Sequence, residues 1–293
     1  MMGTVSGQAA EPIAIIAGNG LLPFSVARAA RDGGYDPFIV QLSGEGEHDW
    51  SEFQSMEASI GAFAPVVASL NARRIKKVVL SGGVTARPEL LSLRPTMRVL
   101  TSFPAIWRTV RSGGDDAVLR MVIGLFEREG FQIVGAQDIA GDLVVTAGPM
   151  GRLRADQGLR KDIEAAAHAA LTVGRMDIGQ GAVSVDGRVV AIEGAEGTDQ
   201  MLQRVIWMRE AGRISKHRPG VLVKLCKPQQ DTRADLPSIG PETVRAAAAA
   251  GLSGIAVEAG RSLILNRPEA IAEADEAGLF IMGLGSEVLE PLH

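Results

Sequence analysis

Short apolar runs rich in valine and isoleucine alternate along this chain with stretches whose apolar positions recur at helical spacing. In the first half, Ile13–Ala17, Pro37–Leu42, Met56–Ile60, Val78–Leu80 and Phe131–Val134 read as strands. Ala182–Val185, Arg188–Ile192, Val221–Leu225, Gly254–Val257 and Leu279–Met282 do so in the second. Helices are expected from Leu22 onward and over Ala62–Arg73, Met97–Arg111, Asp115–Glu129, Asp156–Val173, Gln200–Glu210, Glu242–Ala250 and Pro268–Ala277. Strands that alternate with helices pair in parallel, because a crossover long enough to hold a helix must return to the same edge of the sheet. The expected class is therefore α/β, with ligands gathered where strands end and helices begin.

At 293 residues and 46% hydrophobic, the chain is long enough for two cores. The glycines between Gly135 and Gly151 mark the change, so the expected domains are 12–143 and 155–293, with 144–154 as a linker. One pair inside the second domain, Asp186-Gly187 between two strands, predicts a hairpin with a type I′ turn.

Several classes of function are excluded by composition. A net charge of −4 offers nucleic acid no general attraction. Cys226 is the only cysteine, which rules out an internal disulfide and a thiolate zinc site, and it reads as a small buried hydrophobe at a strand end. His48, His168, His217 and His293 lack the spacing of a zinc motif. The first twelve residues have neither the basic start nor the apolar stretch of a signal peptide and read as a loose tail. The longest uncharged apolar stretch, between Arg245 and Glu258, falls short of the roughly 20 residues that span a bilayer. A cytoplasmic protein is expected.

Chemistry is concentrated in the loops. The most charged leaves the strand at Val221–Cys226 as KPQQDTRADLPSIG and carries Lys227, Asp231, Arg233 and Asp235. Two cations and two carboxylates at a strand end suit a phosphate and a metal, although polar loops in this position are commonly only solvated. Gly18-Asn19-Gly20 follows the first strand but lacks the third glycine of a dinucleotide fingerprint, so it fits an anion cradle at a helix N-terminus better than an NAD site. Gly82 and Gly83 end another strand and could form a nest of N–H groups or a plain tight turn. Gly179-Gln180-Gly181 precedes the hairpin, and beyond it Glu193, Glu196 and Asp199 bring three carboxylates close together, with Thr198 or Asp199 equally suited to cap the next helix. Mg²⁺ takes oxygen ligands, usually one or two carboxylates beside substrate phosphate. Glu258 also stands at a strand end.

The strings IAGNGLLP, SGGVTARPEL, GGDDAVLR, DIGQGAV, EGTDQMLQR, KPQQDTRADLPSIG and VEAGRSLIL occur in this order from Pro12 to about Gly283. As an ordered set they resemble the UDP-2,3-diacylglucosamine pyrophosphatases of lipid A biosynthesis, the type unrelated to the calcineurin-like metallophosphatases. The resemblance implies a Rossmann-like N-terminal domain, a C-terminal α/β domain, substrate held between them, and a homodimer. It implies Mg²⁺-dependent hydrolysis of UDP-2,3-diacylglucosamine to UMP and 2,3-diacylglucosamine 1-phosphate, known as lipid X. The family's essential aspartate lies in its D-L-P segment, here Asp235, while Asn19 departs from the small residue usual at that turn.

Joined to the loop chemistry, this assigns Asp235 as metal ligand or base, Glu193, Glu196 and Asp199 as helpers for Mg²⁺, and Lys227 and Arg233 as phosphate ligands. Gly18, Asn19, Gly82, Gly83, Gly179, Gln180, Gly181 and Thr198 would line the substrate. The helices with Trp107 and Trp207 are candidates for an acyl groove, though such apolar stripes usually face a core. Two fatty chains also imply peripheral contact with the cytoplasmic face of the inner membrane. The competing expectations are a non-catalytic nucleotide-sugar or lipid binder and an NAD-dependent oxidoreductase.

Overall fold

The computed structural model describes residues 10–45, 48–84 and 115–289. The expected helix Met97–Arg111, with Trp107, lies outside them, as do most of the expected tail and His293. The chain divides into two compact units, the first holding residues 1–141 with Arg233–Asp235 and the second residues 142–232 with 236–293.

The first unit is a five-stranded parallel sheet built from β1 (Glu11–Ala17), β2 (Tyr35–Leu42), β3 (Gln54–Ala58), β4 (Lys77–Ser81) and β5 (Gln132–Ile133), in the order β3-β2-β1-β4-β5. Strand β1 opens at Glu11, so the end of the expected tail is already sheet. Among the described residues three helices connect the strands: α1 (Leu22–Asp32), α2 (Phe63–Ala72) and α3 (Asp115–Arg128). Pro23 sits in the first turn of α1, where a missing N–H costs nothing. The sheet buries β-branched side chains against α2 and α3. Val40, Leu70, Val78, Ile123 and Phe126 form one cluster there, with Phe63 and Phe131 set edge-on to Phe126. Each fully buried side chain of this kind stabilises by about 1.5–3 kcal/mol. Because β1 has β2 on one side and β4 on the other, the strand order reverses between β1 and β4, and this is the Rossmann-like arrangement.

The second unit is a six-stranded mixed sheet. Its strands are β6 (Gly148–Pro149), β7 (Gly181–Val185), β8 (Arg188–Ile192), β9 (Gly220–Lys224), β11 (Gly254–Glu258) and β13 (Phe280–Leu284), in the order β6-β13-β11-β9-β7-β8. A separate parallel pair joins β10 (Ser238–Ile239) to β12 (Leu263–Ile264). Strands β9, β11 and β13 are parallel, while β7 runs antiparallel to β9 and to β8.

The period of two along a strand is written into the two cores. Val183, Leu222, Ile255 and Val257 enter one face, and Ala182, Val221, Val223 and Ala256 enter the other. Helix α4 (Arg160–Arg175) covers the second face. The first is covered by α5 (Gly197–Glu210), α6 (Pro241–Ala249) and α7 (Arg267–Ala277). The hairpin turn has Asp186 and Gly187 both at positive φ (58° and 75°), as its Asp-Gly sequence predicts.

Residues 144–154, expected as a linker, are built into this unit instead. Val145 is buried in its core and Gly148–Pro149 pairs with β13, so burial of the valine, not glycine content, decides their place. Among the described residues no helix is long and apolar enough to cross a membrane.

Candidate active site

Antiparallel pairing of β7 with β9 determines which loops of the second unit meet. Gly181 pairs with Lys224, and the Leu225 N–H donates to the Gln180 carbonyl at 2.9 Å. The start of β7 and the end of β9 therefore share one edge of the sheet. The end of β8 joins them, since the Glu193 N–H donates to Gly181 O at 2.8 Å. Gly179-Gln180-Gly181, Glu193, Thr198 and Lys227 are thus brought together, and the end of β11 adds Glu258.

The two glycines of that loop make room for a carboxylate. A β-carbon on Gly179 would stand 2.2 Å from the Glu193 carbonyl oxygen, and one on Gly181 would stand 2.9 Å from Glu193 Oε2. Glu193 is 6% exposed; its Oε1 accepts the Thr198 hydroxyl at 2.5 Å and its Oε2 accepts the Gln180 N–H at 3.2 Å. This carboxylate braces the loop, and with it the hydroxyl of Thr198 and the N–H of Gln180 are engaged. Glu196 pairs with Arg204 at 2.6 Å, and Asp199 lies exposed in the first turn of α5, where the helix end favours an acid. Among the described residues no three acidic, histidine or cysteine side chains group as metal ligands. The expected set of Glu193, Glu196 and Asp199 is corrected accordingly: each carboxylate serves the local scaffold, and the three do not converge. Gln180 Oε1 is enclosed, and among the described residues none donates a hydrogen bond to it, so it is an acceptor that a ligand N–H or O–H would satisfy.

Lys227 is held from several sides. Its N–H donates to Gln230 Oε1 at 3.1 Å, and its ammonium lies 2.6 Å from Asp177 Oδ1. The preceding residue is fixed by Glu258, itself 8% exposed, whose Oε2 accepts the Cys226 N–H at 3.0 Å while Oε1 accepts Arg261 Nη1 at 3.0 Å. Arg261 Nη2 also approaches the Cys226 sulfur at 3.3 Å. Cys226 is buried, as its sequence context predicts, and its thiol is part of this network. Asp177, Gln230 and Arg261 carry no sequence signal of their own, because each acts on a partner distant along the chain or on a main-chain group; Glu258 was legible as a charge at a strand end.

At the carboxyl edge of the first unit the geometry is different. The Gly18 N–H donates to Ser81 O at 2.9 Å, Asn19 N–H to Gly83 O at 2.7 Å and Gly83 N–H to Asn19 O at 3.1 Å. Gly18 and Gly82 permit this approach, since β-carbons there would stand 2.3 Å from Gly83 O and 2.5 Å from Asn19 O. The N–H groups of Gly18, Asn19 and Gly83, expected as parts of an open anion nest, are engaged by these main-chain carbonyls. Asn19 Nδ2 donates to the buried Glu45, and His48 Nε2 donates to Gly20 O at 2.7 Å, so the turn is braced from beyond β2 as well.

Arg233 and Asp235 belong to the first unit. Arg233 pairs with Glu127 at 2.8 Å, Ala234 packs on the core of that unit, and Asp235 is half-buried.

The family model of the LpxI N-terminal domain matches residues 12–143, and that of the LpxI C-terminal domain matches residues 146–282. The chain is 40% identical over 273 residues to "UDP-2,3-diacylglucosamine pyrophosphatase LpxI" of Caulobacter vibrioides, covering 93% of this chain and 97% of the relative. Among solved structures, a UDP-glucose 4-epimerase from Brucella ovis in complex with NAD aligns at 14% identity over 56% of this chain and 62% of its own, with a TM-score of 0.24. Matched by both family models across nearly its whole length, with a relative aligned from end to end, this chain belongs to the LpxI family.

Proposed function

We propose that this protein hydrolyses the pyrophosphate bond of UDP-2,3-diacylglucosamine, releasing UMP and 2,3-diacylglucosamine 1-phosphate (lipid X) for lipid A biosynthesis. The observation that carries this reading is the end-to-end identity of 40% with the Caulobacter vibrioides pyrophosphatase. The second unit adds support: a lysine, a bracing glutamate and an unsatisfied glutamine oxygen meet at the strand edge where open sheets bind ligands.

In this reaction the oxygen of water bonds to one phosphorus, the bridging P–O bond breaks, and the other phosphate leaves with the bridging oxygen. Lys227 offsets charge on the phosphate oxygens, and Arg233, with its planar fork, exchanges Glu127 for a bidentate grip on phosphate. Asp235 takes the water's proton or holds the metal. Mg²⁺, when bound, neutralises charge on the phosphoryl oxygens. A hydrated Mg²⁺ asks the protein for only one or two carboxylates, so Asp235 beside substrate phosphate fits its donor set and the dispersed acids of residues 193–199 do not. The protein is read as a homodimer that meets its two-chained substrate at the cytoplasmic face of the inner membrane.

The test is incubation of purified protein with UDP-2,3-diacylglucosamine, with Mg²⁺ or with a chelator, and assay of UMP. Wild type is expected to release UMP only with Mg²⁺, and Asp235→Ala to release almost none. A wild type that binds substrate without releasing UMP would make the protein a lipid or nucleotide-sugar binder. Release in the chelator would remove the metal from the reading.

A further inference from the structure

Helix α4 ends on an aspartate in a place that does not suit one. Asp177 has φ of +55°, the left-handed region in which a residue with a β-carbon is strained and glycine is not. Its N–H donates to Gly174 O at 3.0 Å and the next N–H, of Ile178, donates to Val173 O at 3.0 Å. This pair of bonds is a Schellman cap, whose left-handed position is usually glycine and sometimes asparagine. A carboxylate there also faces the negative end of the helix. Backbone conformation and helix electrostatics therefore both disfavour an aspartate at this position.

What the aspartate provides is a partner for Lys227. The two groups are 2.6 Å apart, and their side chains are only 24% and 11% exposed. The lysine loop lies on the helix end itself: Gln229 Nε2 donates to Gly174 O at 2.7 Å, and a β-carbon on Gly174 would touch Lys227 Cα at 3.5 Å. With its backbone fixed by Gln230 and its ammonium by Asp177, Lys227 has one orientation at the edge shared with Gln180 and Glu193.

We propose that Asp177 is a positioning residue for Lys227, kept at the helix end at a cost to stability so that the ammonium is already aimed at the phosphate when substrate arrives. This rests on the pyrophosphatase reading above, so release of UMP by wild type is measured first. A wild type without activity overturns that reading, whereas the variants below judge Asp177.

Asp177→Gly relieves both local costs and keeps the cap but also removes the ion pair with Lys227, so its effect on stability is read in a Lys227→Ala background, where the double variant is expected to melt at or above Lys227→Ala alone. The kcat/KM of the single variant Asp177→Gly is expected to fall roughly tenfold to a hundredfold, the loss that follows a misplaced binding group. Asp177→Asn, which keeps the shape and removes the charge, is expected to lose activity in the same direction. A residue needed only for folding would lower the melting temperature in that background as well. Acting through Lys227 makes a further demand: adding Asp177→Gly to Lys227→Ala should cost almost nothing more. Retention of wild-type kcat/KM by Asp177→Gly, a double variant that melts below Lys227→Ala, or full additivity of the two substitutions in kcat/KM would each overturn the proposal.

Discussion

At the carboxyl edge of the first sheet, Gly18, Asn19 and Gly83 answer one another through main-chain N–H and carbonyl groups. At the matching edge of the second, ion pairs join Asp177 to Lys227 and Glu258 to Arg261, and the Glu193 carboxylate holds the Gln180 N–H and the Thr198 hydroxyl. Both edges contain a pair of glycines admitting something large. In the first unit the guest is another turn of backbone, and in the second it is Glu193, by its main chain at Gly179 and by its carboxylate at Gly181. An edge closed by main chain alone tolerates changes of charge, whereas an edge also tied by ion pairs should not.

The sharpest way to break this contrast is Gly82→Ala. Its φ of +86° and a β-carbon 2.5 Å from Asn19 O combine strain with a clash against backbone, so a loss of about 3 kcal/mol or more is expected. Amide hydrogen exchange should show the loss in β1 and β4 and leave β9 and β11 as in wild type. Equal loss of protection in both sheets would mean that the two edges do not differ in this way. Next in size is Glu258→Gln, which hardly changes volume but removes the charge shared by the Cys226 N–H and Arg261. With the arginine partly exposed, about 2 kcal/mol is expected, read by urea unfolding and by faster exchange at Cys226.

Gly20→Ala separates strain from crowding. Gly20 has the same φ of +86° as Gly82, but a β-carbon there would meet nothing within 4 Å, so only the backbone preference is lost, about 1 kcal/mol. A loss as large as that of Gly82→Ala would show that crowding contributes little at either position. The smallest effect belongs to Lys77, whose ammonium is held above its ordinary pKa of 10.5, chiefly by its hydrogen bond to Glu11. A raised folded-state value means that this contribution is complete below the unfolded pKa and fades as pH climbs through the folded one. Lys77→Met should therefore cost no more than about 0.5 kcal/mol at neutral pH, and the difference from wild type should vanish in alkaline solution.

Much of the architecture could be read from residue patterns, because it follows from local chemistry. Apolar runs such as Ile13–Ala17 and Gly254–Val257 became strands, and Asp186-Gly187 became the turn its residues favour. The two-residue strands β6, β10 and β12 offer no pattern to read; Gly148–Pro149 is sheet only because β13 offers an edge to it. The site was legible where a charge stands at a strand end, as for Lys227 and Glu258. It was misread where spacing along the chain stood in for distance. Glu193, Glu196 and Asp199 are neighbours in sequence, yet the first turns toward Gln180 and Thr198, the second toward Arg204, and the third lies at a helix start. Asp177 was passed over for the opposite reason, since its partner lies in a loop far along the chain.

The first compact unit is assembled from two separate stretches of polypeptide, one of them only Arg233–Asp235. A gene divided at the boundary between the two family segments would therefore yield an amino-terminal fragment lacking a piece of itself, and Asp235, the proposed catalytic aspartate, would travel with the other fragment.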